Sequence, residues 1–144
     1  MRLWHTSFIE VLPREQLVAQ WRECSAIAGA IQKNGTPNHV LVNFVLDYDF
    51  DHFISYSYYI RQEMTRRKYR TMDSVWNKIV ALKPDWKLLP LDEVFPNKMT
   101  DFYLIVCYYN LYEKYDCGMF DNFEPIEEIY KYNIYQEEIK SIGG

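Results

Sequence analysis

Arg22 and Glu23 are the residues of this chain with the clearest capacity for chemistry. They are adjacent in the stretch PREQLVAQWRECSAIAGAIQKNG, residues 13 to 35. Leu17, Trp21, Cys24, Ala28 and Ile31 recur there at helical spacing and predict a buried stripe. Glu23 lies about 100° around that helix from Arg22, so it flanks the stripe rather than opposing it. A carboxylate at the edge of a core face is either a hydrogen-bonded anchor or a site residue. Taken alone, the anchor is the plainer reading.

Other chemistries find less support. His5, His39 and His52 are scattered, and a lone histidine is usually a hydrogen-bonded structural residue. The three cysteines, at 24, 107 and 117, form neither a metal-ligand spacing nor an even disulfide set. Cys24 falls on the apolar stripe, which disfavours it as a nucleophile. No phosphate-binding glycine loop, HExxH, CxxC or GxSxG pattern is present, so neither a metal nor a cofactor is expected. Reduced thiols, with no signal-peptide pattern and no membrane-length apolar run, predict a cytoplasmic protein.

Charge divides the chain. Residues 1–90 carry 12 Lys and Arg against 9 Asp and Glu, whereas residues 91–144 carry 4 against 11. The front half can face an anion. The acidic half would repel a nucleic-acid backbone lying alongside it, or could engage a protein partner. The run Arg66-Arg67-Lys68 with Arg70 reads either as a solvated terminus complementing a helix dipole or as a phosphate-contacting patch.

The elements that must position these residues are mostly helices. Pro13 suits a first turn, and Asn34-Gly35 signals the end of the first helix. Residues 39–46 read as a short strand or buried extended segment. Asp47, Asp49 and Asp51 mark the start of a second helix running through Met64. Thr71 or Asp73 caps a third, stopped by Pro84, and residues 84–97 form a loop. Thr100 caps a helix from Phe102 to Tyr112, ended by Cys117-Gly118. Pro125 starts a last helix through Ile134, and Gly143-Gly144 frays. The fold class is mainly α: one compact domain over residues 1–144, four to five helices and little strand.

Taken in order, MRLWH, LPREQLVAQWREC, NG followed by HVLVNFV, and EMTRRKYR resemble the pyrimidine-dimer DNA glycosylases, the endonuclease V-like enzymes of phage and bacteria. The likeness spans about residues 1–70, with YKYNIY loosely similar to an aromatic, basic tail. It implies a mainly α-helical enzyme that excises damaged pyrimidines and cuts the strand by lyase chemistry. It also implies roles: the α-amine of Met1 as nucleophile, Glu23 as catalytic glutamate, Arg22 holding nucleic acid, Arg2 just behind the nucleophile, and His39 in the loop before the second long helix.

Physical chemistry makes sense of that set. α-Amines as a class titrate near 7.7–8.0, so a useful fraction is neutral and nucleophilic. A nearby carboxylate stabilises a developing sugar cation and moves protons. Such enzymes displace a nucleotide from the stack, and Tyr56, Tyr59, Arg66 and Arg67 are the candidates to receive it. The expected partner is damaged DNA. The alternative is a non-catalytic scaffold holding a nucleotide-like anion, or a protein partner docked on residues 91–144.

Overall fold

A computed structural model describes residues 1–135. Five α-helices carry the fold: α1 (Arg14–Asn34), α2 (Phe50–Arg66), α3 (Asp73–Val80), α4 (Asp101–Asp116) and α5 (Glu124–Tyr130). Short 3-10 helices occupy Thr6–Val11, Asn43–Asp47 and Leu91–Glu93, and a π-helical turn, Lys131–Tyr135, continues α5. There is no strand among the described residues, and none of their helices is long and apolar enough to cross a membrane. Gly143-Gly144 lies outside the described residues.

The predicted stripe of α1 is the centre of the core: Leu17, Trp21, Cys24, Ala28 and Ile31 are all buried. It packs against α2, which buries Phe53, Ser57, Ile60 and Met64, and against α3. Truncating Trp21 to alanine removes a contact worth about 3–5 kcal/mol. The helix ends follow local chemistry. Gly35 closes α1 at φ 76°, donating its N–H to the Ile31 carbonyl at 2.8 Å. Asp49 accepts the Asp51 N–H at 3.0 Å, and Thr100 accepts the Tyr103 N–H at 3.2 Å.

Two expectations are corrected. Residues 39–46 are not extended. Val42 and Val45 are buried while Val40, Leu41 and Leu46 are exposed, a spacing of three that fits the 3-10 helix. The loop is folded back by its own side chains. His39 N–H donates to Asn43 Oδ1 at 2.9 Å, and Leu41 N–H donates to His39 Nδ1 at 3.3 Å. The other correction concerns α3, which has no side-chain cap. Thr71 and Asp73 are instead drawn to Arg61, whose Nε donates to Thr71 Oγ1 at 2.9 Å and whose guanidinium pairs with Asp73.

Candidate active site

Chain termini normally fray unless something ties them down. Here the first five residues are threaded between α1, α2 and α4, with their backbone held by side chains. Gln20 is fully buried and does most of this: its Oε1 accepts the Trp4 N–H at 2.7 Å, and its Nε2 donates to the Arg2 carbonyl at 2.8 Å. The Tyr56 hydroxyl is shared between the Trp4 carbonyl at 2.6 Å and Gln20 Oε1 at 2.8 Å. From α4, the Tyr103 hydroxyl donates to the Leu3 carbonyl. His5 caps the 3-10 helix that follows, accepting the Ser7 N–H at 3.1 Å.

Glu23 closes this arrangement at its open end. One carboxylate oxygen accepts the Arg2 backbone N–H at 3.2 Å and the Gln20 Nε2–H at 2.9 Å. The same helix therefore clamps the terminus through Gln20 and presents an acid to it through Glu23, three residues on. Burial pushes the Glu23 carboxyl up from the usual range. The Arg2 N–H, the positive α-amine, Gln20 and Lys114 oppose that shift. No ion pair within 4.0 Å joins the α-amine to Glu23, yet the charge of the amine is felt at the carboxylate.

Met1, Arg2, Trp4, Gln16, Ala19, Glu23 and Leu41 line one side of a cavity of about 230 Å³, and Asn110 and Lys114 of α4 line the other. Met1 is exposed there and Arg2 half-buried. The Arg2 guanidinium sits 5.7 Å from the Tyr103 ring centroid, and Lys98 Nζ is 4.1 Å from the same centroid. Burial and the neighbouring Arg2 push Lys98 down from its ordinary lysine value.

The structure thus brings together Met1, Arg2 and Glu23, but disperses the other predicted residues. Arg22 is exposed on another side of α1, lining a separate cleft with Arg70. His39 is half-buried in the loop whose Leu41 reaches the cavity, and its Nδ1 is already engaged by the Leu41 N–H. Tyr56 does not face a ligand: it is fully buried and holds the terminus. Tyr59 donates to the Leu89 carbonyl at 2.7 Å. The basic run is neither simply solvated nor aimed at the cavity. Arg66 Nε meets both oxygens of the buried Glu63, at 2.7 and 3.0 Å. Arg67 reaches Glu63 at 3.4 Å and the Leu12 and Glu10 carbonyls at 2.7 and 3.0 Å.

Several contributors were not singled out from sequence: Gln20, Tyr103, Asn110, Lys114 and Lys98. Gln20 carried a signal, since it stands three residues before Glu23 and beside the stripe. The α4 residues carried none, because only the packing of distant segments brings them to the terminus. The acidic half of the chain nonetheless places Lys98 and Lys114 at the site, so its net charge does not describe the surface it offers here. Burial drives the Cys24 thiol up to about 12, in keeping with an inert core residue. No group of three or more His, Cys, Asp and Glu able to hold a metal occurs among the described residues.

No curated protein and no solved structure matches the chain. A family model described as pyrimidine dimer DNA glycosylase matches residues 1–77, from the clamped terminus through α1 and α2 into α3. Spanning more than half of the 144 residues, that match means the chain belongs to the pyrimidine dimer DNA glycosylase family.

Proposed function

We propose that this protein is a DNA glycosylase with associated AP-lyase activity, using the Met1 α-amine as nucleophile and Glu23 as the proton-transferring and charge-stabilising group. The observation that supports it most is the Glu23 carboxylate held on the amide of Arg2, one residue from the amine. The neutral amine attacks C1′ of the damaged nucleotide. The bond from C1′ to the base breaks, and the base leaves with the electron pair and picks up a proton. Loss of the amine proton and opening of the sugar leave an iminium linking Met1 to C1′. Removal of a C2′ proton then expels the 3′ phosphate and cuts the strand.

Each step needs a carboxyl that exchanges protons near neutral pH, and a raised Glu23 suits that need. Arg2 and Lys114 on the cavity wall supply positive charge for the flanking phosphates. Clamping of residues 1–5 fixes the amine before substrate arrives, so its ordering cost is met in folding rather than at the reaction.

Borohydride trapping on AP-site DNA tests the reading. The expected result is a covalent adduct that disappears in N-terminally acetylated protein and in Glu23→Gln. Retention of AP-site DNA with no adduct would reassign the cavity to binding without turnover. An adduct undiminished by N-terminal blocking would remove Met1 from the role.

A further inference from the structure

A second feature lies on the far side of α2. Tyr58, Arg61, Gln62, Thr65 and Arg66, with Trp76 of α3, line an open cleft of about 470 Å³ that shares no residue with the Met1 cavity. At about 100° per residue, positions 58, 61, 62 and 65 face away from Tyr56, which points at the N-terminal segment. The wall of the cleft is aromatic. Trp76 packs edge-on to Trp86 at 5.5 Å, and Tyr58 lies 6.3 and 6.4 Å from the two indoles. All three rings are half-buried, leaving aromatic surface open to solvent.

Polar groups surround that wall with capacity to spare. The side chains of Tyr58, Gln62 and Thr65 make no hydrogen bond to the protein among the described residues. Arg61 lies 5.7 Å over the Trp76 ring with its charge matched by Asp73, so the wall is not free to take a cation. Arg66 is 65% exposed and bonded to Glu63 through Nε, leaving its terminal nitrogens outward. Glu63 is shared by Arg66 and Arg67, so one positive charge of that pair is unmatched. Lys68 and Arg70 follow without a carboxylate within 4.0 Å among the described residues.

We infer that this cleft is a second nucleic-acid contact, in which an unpaired base of a single strand stacks on Trp76 and Tyr58 while its phosphates run over Arg66 toward Lys68 and Arg70. Stacking surfaces beside a track of cations are the recurring chemistry of single-strand binding. The free Gln62 amide and Tyr58 hydroxyl suit the polar edge of a base, and the track of charge suits a polymer over a free nucleotide. This site goes beyond the proposed catalytic reading and stands on different residues.

Fluorescence anisotropy of labelled octathymidylate, titrated with the intact protein, tests it. Binding is expected, with quenching of tryptophan emission, because Trp4 and Trp21 are buried and the cleft indoles are not. Trp76→Leu should weaken it by about tenfold, the scale of one lost stacking contact. Gln62→Glu alters an exposed side chain, so its fold is secure, and it should weaken binding several-fold with a steeper response to salt. Glu23→Gln should bind the strand as the wild type does, even where borohydride trapping is lost, which separates this inference from the catalytic one. Unaltered affinity in both Trp76→Leu and Gln62→Glu would overturn it. If Trp76→Leu fails to fold, unaltered affinity in Gln62→Glu alone does so. Thymidine monophosphate binding as tightly as the octamer would overturn the assignment to a strand.

Discussion

Glu23 on α1 and Glu63 on α2 are both followed or preceded in sequence by arginine, and both sit at the margin of the same core. Glu63 is 4% exposed and is met by two guanidinium groups, one of which also ties down the carbonyls of Leu12 and Glu10. Glu23 has no guanidinium: its adjacent Arg22 turns to a different cleft. Its oxygen instead takes a backbone N–H and an amide, with the α-amine and Lys114 acting at longer range. The first carboxylate is neutralised where it stands and staples the end of α2 to the segment before α1. The second is buried with its charge only partly compensated, the condition in which a carboxyl exchanges protons readily. Proximity to arginine in sequence does not separate an anchor from a site; the partners in space do.

The largest effect that sharpens this contrast is on activity. Glu23→Gln should lower strand cleavage at AP sites by about 10²–10⁴-fold, the span of proton-transfer contributions, with the thermal midpoint unchanged or raised. Glu63→Ala should show the reverse pattern. Removing a buried carboxylate from its arginines should cost roughly 3 kcal/mol of stability, read from urea unfolding, with cleavage by the folded fraction unchanged. Loss of cleavage in Glu63→Ala at full folding would break the contrast.

How far sequence could foresee this follows from the range of each interaction. The stripe of α1, the Gly35 terminus and the Thr100 cap depend on residues within a turn of one another, and they were legible. The segment at 39–46 was misread because its apolar residues look like a strand until His39 and Asn43 are seen to fold it back. At the site, Glu23 was placed by its spacing from the terminus and by family likeness. The wall formed by Tyr103, Asn110 and Lys114 lies about 80 residues further on in α4 and beyond the matched residues 1–77, so local pattern could not supply it. Tyr56 shows the converse error. A tyrosine on a helix reads as ligand-facing or core with equal ease, and only its bond to the Trp4 carbonyl decides.

A smaller effect probes how the terminus is held. Tyr56→Phe removes a fully buried hydroxyl that binds Trp4 and Gln20. The expected cost is about 1–2 kcal/mol, with a modest fall in the rate of adduct trapping as Gln20 loses a partner. Hydrogen exchange should show faster opening of the Trp4 amide. Normal protection there would mean that Gln20 alone secures the segment, and would move the clamp entirely onto α1.

The smallest effect is a pH dependence of stability that belongs to Glu23. Its folded-state pKa is raised by burial, so the folded protein holds the Glu23 proton to higher pH than the unfolded chain. Below the ordinary glutamate range both states are protonated, and Glu23→Gln should match the wild type in stability. As pH rises through the raised value, the folded carboxyl ionises at a cost that the unfolded one does not bear, and the wild type should lose ground to Glu23→Gln. Unfolding midpoints at acidic and neutral pH give the difference directly. A gap that opens as pH rises marks Glu23 as a group held for reaction at some expense to the fold. A wild type that instead gains on Glu23→Gln with rising pH would mean that the α-amine and Lys114 outweigh burial, making Glu23 an anchor like Glu63.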